Sequence, residues 1–338
     1  MSSTPELWTR ICCALPLEDQ RVTSQLKKAG SYPVHLIIKQ NLLSRRHPSS
    51  LISSHLQRLK SLIMTNVFDG YGRFELGALT GDAPQLECLR LTIIRRHDRF
   101  IGLKSCLELE CPALRILYID KNMADYLGPQ WLKNNTQHID VMTIYGGYSI
   151  DMVAPLAIFR VLKAIPRRIP CLILDNLQLY PASQSITIYA EKIILRTCIR
   201  DTLAAFDGDC QTIVLQECDA IHELRCLSLP PLKLIGVGWI ILYLLGAPFA
   251  RRSCCLWPRV TTLKLIAKGD FVMEFPLITL KAMVSSRREA VGQENLGKDG
   301  EELDGMRPLM VLHVHGAQPL PCKEKMWFKK QVMDFVWD

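Results

Sequence analysis

Two histidines and a cysteine near the end of the chain are the residues best suited by type to hold a metal. His313 and His315 alternate in a strand-like segment, so both side chains point to one side, and Cys322 follows closely. Other motif fragments are incomplete: His222 opens a zinc-protease pattern, but Cys226 stands where the second histidine is needed. The sequence contains no C-x-x-C pair, no glycine-rich phosphate loop and no G-x-S-x-G nucleophile motif. We therefore expect no catalytic residues, no cofactor and no metal, with the two histidines on the surface.

The composition is that of a folded protein with a mild basic balance. Of 338 residues, 49% are hydrophobic and 22% are charged, which excludes the disordered and collagen-like classes. The net charge of +8 is spread over scattered basic pairs, such as Arg95 and Arg96, that are not interleaved with aromatic residues. We expect no nucleic-acid partner, and RNA or DNA binding is kept as a weaker alternative.

Cysteine usage and the first residues indicate a reducing compartment. Thirteen cysteines are spread along the chain, and the segment 1–10 has no apolar stretch behind a basic start. We therefore expect a cytoplasmic or nuclear protein, most of whose thiols are small buried hydrophobic groups.

One uncharged segment, 234–250, is flanked by Lys233 and Arg251 and needs a membrane test. It has 17 residues with internal glycines, whereas a spanning helix needs about 20 apolar residues. We expect a buried strand followed by a buried helix and no membrane contact. A protein anchored to a membrane through 234–250 is the alternative.

A spaced apolar triplet, with two residues and then one residue between its members, recurs ten times along the chain. Successive triplets begin 19 to 31 residues apart, with one gap of 49, and leucine-rich repeats have a period of about 20 to 29 residues. The triplets are Leu59, Leu62 and Met64; Leu86, Leu89 and Leu91; Leu114, Leu117 and Ile119; Ile139, Met142 and Ile144; Ile169, Leu172 and Leu174; Ala190, Ile193 and Leu195; Cys210, Ile213 and Leu215; Leu229, Leu232 and Leu234; Val260, Leu263 and Leu265; and Leu309, Leu312 and Val314.

This spacing predicts an α/β fold, an irregular leucine-rich-repeat solenoid with parallel strands on its concave side and helices on its convex side. Three residues after the last apolar position, Asn122, Cys198 and Cys218 occupy a turn position that such repeats favour. The segment 152–165 has helical apolar spacing and is predicted as a convex-side helix.

Four regions are predicted in the chain. Residues 1–30 form a helical N-terminal cap, in which Leu7, Ile11 and Leu15 recur every four residues and Gly30 ends a second helix. Residues 31–284 form the solenoid. The polar stretch 285–307 is a charged flexible loop, and residues 308–338 form the last repeat and a C-terminal cap in which Phe328, Val332 and Phe335 cover the repeat.

The segments 7–11 (LWTRI) and 26–36 (LKKAGSYPVHL) resemble the start of F-box/leucine-rich-repeat proteins of mushroom-forming fungi, the basidiomycete type. The stretches 83–91 (APQLECLRL) and 111–119 (CPALRILYI) are similar to the repeat units of that family. In this family an N-terminal F-box docks on the adaptor of a cullin-based ubiquitin ligase, and the repeats recruit the substrate. The matching segments are those that follow an F-box, so we expect this chain to lack the F-box itself.

Residues between and just after the apolar strand positions are predicted to point outward and form a partner-binding concave face. This face mixes aromatic residues with charge, as interface hot spots do, and its later half is basic. Its members are Arg90, Tyr118, Asp120, Thr143, Tyr145, Asp175, Lys192, Arg196, Gln216, Lys233, Lys264 and His313.

The sequence thus predicts a non-catalytic protein-protein interaction module, similar to the substrate-recognition part of a ubiquitin ligase receptor, with a protein substrate or partner on the concave face. Two alternatives are left open: a truncated or stand-alone repeat protein with no ubiquitin role, and the membrane-attached protein named above.

Overall fold

The chain is α/β and divides into two compact units, Met1–Ile173 and Leu174–Asp338. The computed structural model describes part of each unit. The described residues are 9–14, 19–39, 52–65, 79–92, 107–121, 123–146, 155–165, 167–177, 186–198, 206–218, 233–236, 245, 257, 259–267, 277–293 and 307–338.

In its described residues, the first unit combines short parallel strands with three helices. Its strands are β1 (Arg10–Ala14), β2 (Val34–Lys39), β3 (Leu59–Thr65), β4 (Thr80–Asp82), β5 (Cys88–Thr92), β6 (Glu108–Glu110), β7 (Ile116–Asp120) and β8 (Val141–Tyr145), and β9 (Ile169–Asp175) begins in this unit. Its helices are α1 (Asp19–Lys28), α2 (Pro129–Asn135) and α3 (Pro155–Ala164), with 3-10 turns at Leu56–Arg58 and Met123–Asp125.

Within this unit β1, β2, β3, β5, β7 and β8 pair in that order, and every pair is parallel. The register aligns Leu89 on β5 with Leu62 on β3 and with Leu117 on β7. Strands β4 and β6 form a separate parallel pair. Because parallel neighbours need a crossover between them, every strand-to-strand connection returns the chain to the same end of the sheet.

The second unit repeats the same parallel arrangement. Its elements are β10 (Ile186–Arg196), β11 (Phe206–Asp209), β12 (Thr212–Gln216), β13 (Lys233–Ile235), β14 (Thr262–Ile266), α4 (Leu277–Gln293), β15 (Val311–His315), α5 (Cys322–Gln331) and β16 (Asp334–Trp337). Strands β10, β12, β13, β14, β15 and β16 pair in order, all parallel, and β11 pairs with β10.

The predicted apolar triplets form the core of both units. Every triplet residue that the structure describes is buried except Cys210, which is half-buried; Leu229 and Leu232 lie outside the described residues. The strands alternate between buried and half-buried positions, as in β5 and β14. The prediction of which residues face inward is therefore confirmed.

A left-handed turn recurs where strands of the second unit end. Asn176, Thr197, Glu217 and Gly236 have φ of 49°, 47°, 54° and 58°. Each follows a strand and donates its backbone N–H to the carbonyl of the last residue of the next strand, at 2.8 to 3.0 Å. The residue after each of the first three, Leu177, Cys198 and Cys218, is buried at the predicted turn position. Asn122, predicted for the same position, lies outside the described residues.

The N-terminal cap prediction is wrong in its first half. Residues Arg10–Ala14 form strand β1, paired with β2, and Ile11 is buried in the sheet's core; Leu7 and Leu15 lie outside the described residues. A short apolar run fits either a helix or a strand, and the free edge of β2 gives this one backbone partners. The second helix is confirmed as α1, with Val22 and Leu26 buried and Gly30 at φ +57° beyond its end.

The predicted flexible loop over 285–307 is wrong for residues 285–293, which lie in α4. The charged sequence suggested solvent exposure, but Arg287 is 0% exposed. Its guanidinium donates to the carbonyl oxygens of Leu245, Trp257 and Val260, at 2.9 to 3.0 Å, and of Arg307, at 3.2 Å. Residues 294–306 lie outside the described residues.

The remaining helix predictions fit the structure where it describes them. The segment 152–165 contains α3, with Ile158, Phe159 and Val161 buried. At the C-terminus Phe328 and Val332 are buried, and the Phe335 ring stacks on Phe328 with centroids 5.2 Å apart. Phe335 itself lies on β16, which adds a strand to the sheet.

Among the described residues no helix is long and apolar enough to cross a membrane. Of the segment 234–250, the structure describes residues 234–236 and 245. Leu234 is buried in β13, and Leu245 is buried as well.

Candidate binding face

The twelve residues predicted for the binding face fall into both units, and ten of them are half-buried or exposed. Five belong to the first unit and seven to the second, so each group is described with its own strands. In the first unit Arg90, Tyr118 and Thr143 share one register position on β5, β7 and β8. Tyr145 lies two residues further along β8, directly opposite Asp120.

Arg90, Tyr118 and Tyr145 form an aromatic–arginine cluster on the side of the sheet opposite the core. The Arg90 Cζ atom lies 4.0 Å from the centroid of the Tyr118 ring. The Tyr118 and Tyr145 ring centroids are 6.2 Å apart, with the planes tilted by 32°. A guanidinium over a phenol ring at this distance gains about 0.5 to 1 kcal/mol at an exposed site, so the cluster is held in place before any partner binds.

Two predicted members of the face are buried instead. Asp120 is 3% exposed, and its carboxylate oxygen accepts the backbone N–H of Met123 at 2.9 Å. It therefore caps the 3-10 turn Met123–Asp125, because a carboxylate at the end of a strand can accept the backbone N–H of the residue three positions later in the chain. Thr143 is 8% exposed: its short side chain, at the same register position as Tyr118, does not reach solvent.

In the second unit Asp175, Arg196 and Gln216 lie together at the ends of β9, β10 and β12. The Arg196 guanidinium donates to Gln216 Oε1 at 3.1 Å and contacts Asp175 Oδ2 at 3.4 Å. The Thr197 hydroxyl bonds Asp175 Oδ1 at 3.3 Å, and Gln216 Nε2 donates to Glu217 Oε1 at 3.4 Å. Thr197 and Glu217 were missed in the sequence because only their left-handed backbone turns them toward this network.

Lys233, Lys264 and His313 occupy one register position on β13, β14 and β15. All three are half-buried; Lys264 and His313 lie between buried core residues along their strands, and Lys233 precedes the buried Leu234. His313 Nε2 lies 2.9 Å from Asp334 Oδ2. Lys192, the remaining predicted residue, is exposed and lies on β10, level with Thr212.

The two histidines point to the same side of β15, as their spacing predicts, with ring centroids 6.1 Å apart. Each contacts its own carboxylate: His313 with Asp334, and His315 Nδ1 with Asp338 Oδ1 at 2.7 Å. Within the part of the chain that the structure describes, no three His, Cys, Asp or Glu residues stand close enough together to hold a metal ion. The motif fragment at His222 and Cys226 lies outside that part.

Three thiols are buried, which should make them unreactive. Cys198 Sγ lies 3.3 Å from the Leu174 carbonyl oxygen, and Cys218 Sγ lies 3.4 Å from that of Leu195. Burial raises the pKa of the Cys198 thiol, and the Cys218 thiol beside it acts in the same direction. Burial, with a smaller contribution from Glu110, raises the pKa of Cys111 to about 12. The thiols of Cys111 and Cys198 therefore remain protonated at neutral pH, and all three side chains pack in the core.

No family model, no curated protein and no solved structure matches the chain. The case for a function therefore comes from the geometry of the described residues.

Proposed function

We propose that the chain is a non-catalytic protein-interaction module and that its first unit binds a partner protein through the aromatic–arginine cluster. One observation carries this proposal: on the side opposite the core and across three strands, the Arg90 guanidinium lies over the Tyr118 ring and the tilted Tyr145 ring lies beside it. Tyrosine and arginine dominate interface hot spots because they bury a large area with few rotatable bonds.

The fold that we propose for this module is an irregular leucine-rich-repeat solenoid. The buried triplets, the parallel register and the recurring left-handed turns of the second unit support it. In such repeats each unit buries its apolar side against its neighbours, which leaves the outward strand positions available for partners.

The resemblance to fungal F-box proteins extends the proposal to the substrate-recognition part of a cullin-type ubiquitin ligase receptor. We further propose a cytoplasmic or nuclear location. The buried Cys111, Cys198 and Cys218, all free thiols, support a reducing compartment.

The test is quantitative affinity purification of the tagged chain from native lysate, comparing wild type with the double variant Y118A/Y145A. We expect partners specific to wild type to fall at least about tenfold in the double variant, the loss typical of removing two hot-spot rings. The matched control is Y189A, because Tyr189 is a strand tyrosine in the second unit with 61% exposure. It should retain every partner.

Thermal unfolding of the same variants separates binding from folding. If Y118A/Y145A loses stability like a core truncation, unfolding explains its lost partners, and R90Q, which keeps both rings, becomes the deciding variant: full partner recovery by a stable R90Q would then contradict the proposal. Unchanged partner recovery in both variants would also contradict it. Recovery of a ligase adaptor and a cullin would support the ubiquitin role, and specific partners without them would indicate a stand-alone repeat protein.

A further inference from the structure

Two lysines of the second unit face each other directly across neighbouring strands. Lys233 on β13 and Lys264 on β14 are register partners, and parallel strands lie about 4.8 Å apart. Like charges directly opposite one another destabilise a sheet. In the part of the chain that the structure describes, neither ammonium group has an ion pair or a hydrogen bond. The fold therefore retains an unfavourable charge pair that nothing in the described structure balances.

Two other basic side chains of this sheet contact carboxylates of the protein itself. Arg196 contacts the Asp175 carboxylate, and His313, the register neighbour of Lys264, contacts that of Asp334. The surplus positive charge on β13 and β14 therefore lies on Lys233 and Lys264.

Apolar side chains adjoin the lysine pair. Val214 is the register partner of Lys233 on β12, and Ile235 and Ile266 are opposed two residues further along β13 and β14. Both isoleucines are half-buried, as are the lysines. A lysine in such a setting covers apolar surface with its stem and presents its ammonium group at the rim. The face thus offers two cations beside a small apolar strip.

We propose that this face of β12, β13 and β14 binds an extended acidic segment of a partner protein, in which carboxylates contact Lys233 and Lys264 and an apolar residue covers Ile235 and Ile266. Complementary charge determines the choice of partner, since an acidic segment removes the repulsion between the lysines when it binds. A protein segment is favoured over a nucleic acid because the described outward residues of these three strands include no aromatic side chain on which a base could stack. The inference does not depend on the aromatic–arginine cluster of the first unit.

The experiment measures fluorescence anisotropy of a labelled octapeptide of alternating Glu and Leu, with the whole chain as titrant at low salt. K233Q/K264Q should bind this peptide at least about tenfold more weakly than wild type, because both carboxylate contacts are lost. The matched control is K325Q/K329Q, which removes the same charge from two exposed lysines on α5 and should stay within about twofold of wild type. A Gln–Leu octapeptide should bind weakly to every variant.

Charge reversal gives a gain-of-function arm. K233E/K264E should lose the Glu–Leu peptide and acquire binding to a Lys–Leu octapeptide, which wild type rejects. Thermal unfolding should show that K233Q/K264Q is at least as stable as wild type, because the repulsive pair is gone.

Several results would overturn the inference. Equal weakening by K325Q/K329Q would mean that only net charge attracts the peptide, and equal binding of the Gln–Leu peptide would mean that carboxylates are not recognised. Tight, lysine-pair-dependent binding of a single-stranded oligonucleotide without peptide binding would assign the face to nucleic acid. The peptide experiment and the Y118A/Y145A purification test different residues. Failure of one proposal therefore does not change the expected result for the other.

Discussion

The amide oxygen of Asn135 accepts a hydrogen bond from the backbone N–H of Cys111 at 2.6 Å, while its amide nitrogen donates to the Trp131 carbonyl at 2.9 Å. Asn135 is buried at the end of α2, and Cys111 directly follows β6. The Trp131 indole N–H also reaches the Leu109 carbonyl, at 2.7 Å. These bonds fasten α2 to the end of β6 in a site closed to water.

Replacing Asn135 with Ala should lower the free energy of unfolding by about 2 to 3 kcal/mol, since a buried N–H loses its acceptor and a buried carbonyl loses a donor. Urea denaturation of the whole chain measures this difference. The neighbouring Asn134 is exposed on the same helix, so N134A should change stability by less than about 0.5 kcal/mol. Similar losses in both variants would show that the buried amide does not fasten α2.

Arg287 and Arg288 provide a second matched pair. R287M should destabilise the chain by at least about 3 kcal/mol, because the four carbonyls that the buried guanidinium satisfies would lose it as a donor. Arg288 is exposed, and among the described residues it bonds the end of α5, at the Lys330 carbonyl and Gln331 Oε1. R288M should cost less than about 1 kcal/mol. Denaturant unfolding followed by circular dichroism distinguishes the two.

Thiol reactivity should separate the cysteines by burial. Cys111, Cys198 and Cys218 should resist alkylation at pH 8, because burial raises the pKa of Cys111 and Cys198 and because all three are shielded. Cys12 and Cys322 are exposed and should react first among the cysteines whose exposure is described. Iodoacetamide labelling with peptide mass spectrometry, in native buffer and then in guanidinium, measures the order. Early labelling of Cys198 in native buffer would contradict the buried turn.

His55 should make stability depend on pH. Its pKa is lowered from the usual 6.5 by burial and, to a smaller extent, by the adjacent Arg58 cation. The unfolded chain therefore takes up the proton at a higher pH than the folded chain, so stability is full above pH 6.5 and falls as the pH drops below it. H55Q should flatten this acid-side loss in denaturation curves between pH 7 and 5. An unchanged slope in H55Q would contradict the assignment.

Two glycines with left-handed backbones should respond differently to alanine. At Gly316 an added Cβ would stand 2.8 Å from the Ala267 Cβ, whereas at Gly30 nothing lies within 4 Å. G30A should therefore cost only the backbone strain, about 1 kcal/mol. G316A should cost more, because the steric overlap adds to the strain. Thermal unfolding of the two variants side by side checks the order, and equal shifts would mean that the turn at Gly316 relaxes freely.

Apolar spacing was sufficient to predict the core, because a strand with one buried side requires alternating residues and the triplets satisfy that requirement. Leu89 and Leu91 on β5 are an example: both are buried, and Arg90 between them faces out. The same alternation placed Tyr118 and Lys264 on the outward side correctly.

Apolar spacing gave wrong predictions where contacts with distant parts of the chain determine the local structure. Residues 10–14 became a strand because β2 offers its edge, and Arg287 became buried because carbonyls from distant segments meet at one point. Asp120 was predicted to face outward, but its carboxylate turns back to cap the 3-10 turn that follows the strand. Strand alternation alone does not predict such a local hydrogen bond. The link between Thr197 and Asp175 depends on a left-handed backbone that β-branched residues rarely adopt.

The recurring left-handed turns have a consequence for how the chain tolerates change in length. The backbone N–H of each turn bonds the end of the strand beside it, so this contact is the same whether a shorter segment separates the strands, as between β10 and β12, or a longer one, as between β13 and β14. Closing a longer connection costs little, because loop entropy grows only slowly with length. Insertions and deletions in these connections should therefore accumulate during evolution while the strand register stays fixed.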